Sequence, residues 1–337
     1  MDRGRVRARA SHSRLSISKQ RHCLSPTLAL MADNVPDFVA LIHPADGPSL
    51  GTREQALLAR ARRELAELLP DERSPDCGLP FKPCAGWCRV CAKYTRLTFE
   101  HLPPKASGNR NRRRFVGMLD ALNTADPLTL PKHGWRQLQQ GIGAYVLCAE
   151  CNSRAGSLYV NEYVSWVASA VAFLAERFAV LPPDGALPES VSFRVHGRPG
   201  RIIRQAISMI LAVSGGPFMA RAYPELAVLA QGGNAHLPAN VRLYLSLAVG
   251  SRGRLSTPTG AVDFRTGTCR VLTEVAFSPF AWLLCIGDQP TESLCDVTAW
   301  TDFGLDEMAD VAVHDARLGS TASALPGDYR WSDEIPI

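Results

Sequence analysis

Apolar residues recur at helical spacing from Thr52 onward, where Leu57, Leu58, Ala61, Leu65, Leu68 and Leu69 mark one face until Pro70 ends the pattern. Thr52 with Gln55 three residues later forms a capping box for that helix. Its other face mixes Arg60, Arg62 and Arg63 with Glu64 and Glu67, the pattern of a solvated surface. Prolines and glycines between residues 70 and 87 read as a linker. Tyr94 to Phe99 then favours a strand, which puts Glu100 and His101 at its end, before Pro103 and Pro104 forbid further pairing. Residues 105 to 114 have loop composition, Ala144 to Leu147 read as a short strand, and a helix follows Cys151, interrupted by Gly156 and resuming over about residues 158 to 180.

Within that helix the stretch Tyr163 to Ala175 is the most apolar of the chain, yet it covers thirteen residues between Glu162 and Glu176. A bilayer needs about 20 apolar residues, so a buried helix is expected and no membrane partner. Pro182, Pro183, Gly185 and Pro188 mark a boundary. Beyond it the pattern predicts a strand over Val191 to Val195, a helix over Ile202 to Val213, and strands over Val241 to Val249, Gly260 to Phe264, Cys269 to Phe277 and Trp282 to Ile286. The fold class is therefore α+β. Four segments are expected: a tail over 1–30, an N-terminal helix and linker over 31–84, a compact unit with its following helix over 85–181, and an α+β domain of unassigned role over 189–337.

Charge changes the picture at one end. The first thirty residues carry seven bases against Asp2 alone, a net of +6, so of the formal +5 the remaining chain holds −1. Any nucleic-acid surface must then be local rather than a property of the whole protein. The tail itself reads as a misassigned start ahead of Met31, as a disordered basic arm, or as an organellar transit peptide. Ten cysteines without a secretory h-region, four of them in paired spacing, point to a reducing compartment, and cytoplasm is the expected location.

Those four carry the chemistry. Cys88-x2-Cys91 and Cys148-x2-Cys151 are two knuckles with 56 residues between their inner cysteines, and together they supply the closed thiolate set of a structural Zn²⁺ site. If the chain between them folds back as a hairpin and loop, the arrangement is a treble clef. Cys84 offers a rival pairing with Cys88, and Cys23, Cys77, Cys269, Cys285 and Cys295 read as free thiols. Between the knuckles lies Thr98-Phe99-Glu100-His101-Leu102-Pro103-Pro104, and Asn152 follows the second one. A carboxylate, an imidazole and an amide are hard-metal and proton-transfer groups that a structural zinc site does not need.

In order and spacing these three motifs resemble the zinc-bearing branch of the HNH endonucleases, over about residues 85 to 160. The resemblance implies a ββα-metal core that hydrolyses DNA with one catalytic ion, RNA being an open second substrate. It makes His101 the general base and Glu100 and Asn152 the ligands of Mg²⁺ or Mn²⁺, separate from the thiolate zinc. For the middle asparagine of the pattern, Asn109, Asn111 and Asn123 are candidates and Asn109 is favoured. Lys105, Arg110, Arg112, Arg113 and Arg114, together with Arg154 after the second knuckle, are expected to meet backbone phosphates. The C-terminal domain would then recognise a substrate, a partner protein or a trigger. The alternative is a non-catalytic zinc-ribbon-like module that binds nucleic acid or protein, with Glu100 and His101 as structural hydrogen-bonding residues.

Overall fold

The computed structural model describes residues 27–30, six residues between 52 and 60, 79–116, 135–178 and 190–317, apart from a few residues in loops of the last segment. In chain order the strands are β1 (Thr27–Leu30), β2 (Ala85–Trp87), β3 (Tyr94–His101), β4 (Arg113–Val116), β5 (Trp135–Leu138), β6 (Gly143–Cys148), β7 (Ser190–Gly197), β8 (Val241–Leu247), β9 (Gly253–Asp263), β10 (Thr268–Phe277), β11 (Phe280–Gly287), β12 (Cys295–Asp296) and β13 (Ala309–Arg317). The helices are α1 (Ala149–Leu158), α2 (Val160–Phe178), α3 (Pro199–Val213), α4 (Phe218–Ala222) and α5 (Pro224–Ala230). This is the expected α+β class.

The largest sheet has the order β1-β9-β10-β11-β8-β12, and β2-β3-β6 form a second sheet; β7 pairs with β13 and β4 with β5. All the pairings are antiparallel. β10 and β11, rich in β-branched, leucine and aromatic residues, are buried along nearly their whole length. α3 begins on Pro199, is buried from Ile202 to Val213, and ends at Ser214 before Gly215, whose φ of 80° supplies the left-handed step that stops a helix. The helix is covered on every side, with Arg204, Gln205 and Ser208 buried beside its apolar residues, and one continuous core joins it to the sheet, to α2 and to the first knuckle.

That continuity runs across the expected boundary. The prolines of 182–188 lie outside the described residues, but the segments on either side share one core: Trp166 on α2 stacks on Phe280 of β11 at 4.1 Å, and Trp282 Nε1 donates to Tyr163 Oη at 3.3 Å. Glu162 and Arg198 join the two segments at 3.0 Å. The reason lies in α2, where Tyr163, Trp166, Val167, Ala170 and Leu174 are buried at three- and four-residue spacing while the opposite face stays exposed. An apolar stripe of this width needs a sheet to cover it.

Three local expectations also change. The helix after Cys151 runs through Gly156 and breaks at Tyr159, where α1 and α2 meet at a bend of 50°. Residues 113 and 114, expected in a loop, start β4. Within the expected tail, Thr27–Leu30 pairs with the outer edge of β9, because an unpaired edge accepts any uncharged extended segment. The remainder of 1–30 lies outside the described residues. Thr52, Arg53, Gln55, Ala56, Ala59 and Arg60 are helical, and Arg60 pairs with Asp288 at 3.2 Å. Among the described residues no single helix is long and apolar enough to cross a membrane.

Candidate metal centre and active site

Both knuckles are set by backbone geometry. The first turns tightly: Cys88 N donates to Lys93 O and Ala92 N to Cys88 O, each at 2.9 Å, with Ala92 in the left-handed region at φ 53°. The second forms where β6 runs straight into α1. Cys148 is the N-cap of that helix, and its sulfur accepts from Cys151 N at 3.4 Å, one of the donors a helix start leaves free. Arg89 N donates to Val146 O at 3.1 Å, and the buried Arg89 guanidinium donates to Ala212 O of α3.

The four sulfurs of Cys88, Cys91, Cys148 and Cys151 all lie within 4.8 Å of one another. Cys91 and Cys148 Sγ are 3.8 Å apart, and a tetrahedron with Zn–S bonds of about 2.3 Å has edges of about 3.8 Å. The donor set therefore fits zinc in chemistry and in size. A hydrogen bond from the Cys151 thiol holds Cys88 down to about 4, burial pushes Cys91 up to about 11, and Cys151 is raised because its proton is engaged by Cys88. Four neighbouring thiolates repel one another, and a divalent cation removes that repulsion. Cys84 stands outside the cluster and accepts Leu97 N through its carbonyl at 2.9 Å.

The second group of residues gathers at the end of β3. The β3–β6 register shifts between Thr98 and Phe99, after which Glu100 faces Ala144 and His101 faces Gly143. A side chain at Gly143 would lie 2.3 Å from Glu100 O, so only glycine allows this approach. Asn152, in the first turn of α1, donates Nδ2 to Thr98 Oγ1 at 3.0 Å and to Phe99 O at 3.1 Å. A backbone carbonyl can only accept, which fixes the amide orientation and leaves Oδ1 free of partners among the described residues.

Glu100 is buried, at 8 % exposure, and burial pushes its carboxyl up to about 8. It has no hydrogen-bond or ion-pair partner among the described residues. His101 donates Nε2 to Gln140 O at 3.0 Å, so the neutral ring keeps its lone pair on Nδ1. Burial, and next the Lys105 cation, lower the pKa of this half-buried ring, while the bond to Gln140 works the other way. Successive strand residues face opposite sides: Glu100 shares the side of Thr98, where Asn152 binds, and His101 shares that of Phe99, whose ring it meets edge-on at 4.9 Å.

Asn109 is completely buried and clamps two loops together. Its Nδ2 donates to Pro103 O at 2.8 Å and Ile142 O at 2.7 Å, and its Oδ1 accepts Ile142 N at 2.7 Å. Gly141 sits beside it at φ 88°, where a side chain would come within 2.2 Å of Asn109 O. Placed so, Asn109 holds the site's frame and is closed off from a reacting group. Arg113 donates to Ser251 O at 2.8 Å with its guanidinium over the Phe277 ring, and Arg154 is held by Gln231 O and Glu150 at 3.3 and 3.2 Å. These two arginines expected on phosphates are thus tied to the fold, Arg154 while exposed; Lys105, Arg110, Arg112 and Arg114 are also exposed, with Arg110 Nε donating to Lys105 O at 3.4 Å. Thr98, Gln140, Gly141 and Gly143 were missed in the sequence; the Gly-x-Gly step at 141–143 is the one signal that marked them.

Comparison with family models, curated proteins and solved structures gives no match to this chain, so its residues and their geometry carry the functional reading.

Proposed function

We propose that the chain is a zinc-braced, metal-dependent endonuclease that hydrolyses DNA phosphodiester bonds at the end of β3. A knuckle, two antiparallel strands and a helix that begins on the second knuckle support the reading as a treble-clef ββα-metal core. The observation that carries the reading is the anchoring of His101 through Nε2 to Gln140 O, which presents Nδ1 of a neutral imidazole as a base.

In this mechanism Nδ1 takes a proton from water, the water oxygen attacks phosphorus, and the P–O bond to the 3′ oxygen breaks with its electron pair leaving on that oxygen. Glu100 and the Oδ1 of Asn152, hard oxygens without competing partners among the described residues, would hold Mg²⁺ or Mn²⁺, a cation that would supply charge to neutralise the phosphate and the leaving oxygen. Nδ2 of Asn152 keeps the helix on the strand. Asn109 keeps the Pro103 and Ile142 loops at fixed separation, and with them the Gln140 carbonyl that orients the base. Glu100 and His101 face opposite sides of β3, with Glu100 buried and His101 half-buried.

The test is nicking of supercoiled plasmid with added Mg²⁺ or Mn²⁺. His101→Ala should lower the rate by about 10² to 10⁴ while zinc content and Tm stay at wild-type values. Equal rates would overturn the mechanism. The placement of Glu100 and His101 on opposite sides of β3, rather than around one point, favours a second reading, the non-catalytic zinc-ribbon-like module that binds nucleic acid or protein. That reading expects retention of DNA with no cleavage in either cation.

A further inference from the structure

Among the described residues the large hydrophobic side chains that reach solvent are Trp87, Tyr94, Val171, Val228 and Met308, and the two aromatics in this set are neighbours. They sit directly opposite each other on the β2–β3 hairpin, with ring centroids 5.4 Å apart and planes at 77°. Cross-strand packing alone explains their contact but not an exposure of 61 % at Tyr94. Arg221, from α4, places its guanidinium over the Trp87 ring at 4.7 Å.

The surroundings are cationic. Ala85 and Arg96 form the next pair on the same face of the hairpin, and Lys82, Lys93 and Arg96 are exposed. From Leu79 to Phe99 the sequence holds Lys82, Arg89, Lys93 and Arg96 and no acid. Tyr94 opens the strand that His101 closes, so this face stands about 23 Å along β3 from the candidate base.

We infer that this face binds single-stranded nucleic acid, its bases stacking on Tyr94 and on the Arg221–Trp87 pair while Lys82, Lys93 and Arg96 meet the phosphates. An aromatic ring stacks on any base and a guanidinium plane does the same, which makes such a surface tolerant of sequence. Lysines and arginines with no acid between them match a polyanion. The inference is independent of hydrolysis: it needs the hairpin and not the catalytic groups.

The experiment is fluorescence anisotropy with labelled oligothymidylate of about 20 nucleotides, without added Mg²⁺ or Mn²⁺, beside an abasic strand of equal length and a polyglutamate peptide of equal charge. Oligothymidylate should bind at least about tenfold more tightly than the other two, Tyr94→Ala should weaken it about tenfold, and Tyr94→Phe should stay within about twofold of wild type. Zinc content and Tm confirm that the variants are folded. Equal binding of the abasic strand or the peptide, or a Tyr94→Ala variant within about twofold of wild type, overturns the inference. Plasmid nicking with normal His101 dependence would survive that result, and stacking without nicking would leave this face standing while removing the nuclease reading.

Discussion

The stretch from Cys84 to Leu158 and the stretch from Val160 to Arg317 hold their shapes by different means. In the first, Val90, Leu97, Leu102, Val146 and Leu147 join the common core, and polar fixed points add to them: four converging thiols, the Asn109 clamp and the Asn152 bridge. In the second, α3 and the β8, β10 and β11 strands are buried almost throughout, around the stacked cluster of Trp166, Phe280, Trp282 and Trp300. One region spends its side chains on orienting backbone for a site; the other spends them on excluding water. The difference teaches that the candidate chemistry sits where the fold is specified by a few polar contacts, each individually exposed to mutation.

Removing the metal would separate the regions most sharply. Cys148→Ser, or a chelator stronger than four thiolates, should withdraw on the order of 10 kcal/mol from the first region. The expected readout is loss of amide-exchange protection over β3, β6 and α1, with protection kept in β10 and β11; uniform loss would mean that the whole molecule depends on the metal. Trp282→Ala probes the other side of the comparison. It should cost about 3 to 5 kcal/mol in a denaturant titration and leave zinc stoichiometry unchanged, since its ring lies in the aromatic cluster. Asn109→Ala should cost about 3 kcal/mol, because the Pro103 carbonyl and the Ile142 amide lose their partner and Ile142 O is left with Leu102 N alone. If the variant melts like wild type, the clamp contributes nothing to the frame of the site.

The sequence disclosed these two regions by different signals. Alternation and helical spacing located α2, α3 and most of the long strands, since burial repeats with the period of the element. The site residues were legible as residue types: paired cysteines, then Glu100-His101, then Asn152. Their partners were not. Thr98 looks like any strand threonine, and Gln140 acts through its carbonyl, a group that every residue carries. Arg113 and Arg154 belonged to a basic pattern whose composition does not show that the fold ties these two down.

What the amino-acid order determined by itself is local: which segments are periodic, which cysteines can share a cation, and which side chains can move a proton. Whether α2 belongs to the knuckles or to the sheet, which nitrogen of His101 keeps its lone pair, and that Trp87 and Tyr94 meet under Arg221 were decided only by tertiary structure. Each of these joins residues far apart in the chain, and spacing along a sequence holds no information about distance once the backbone has folded back.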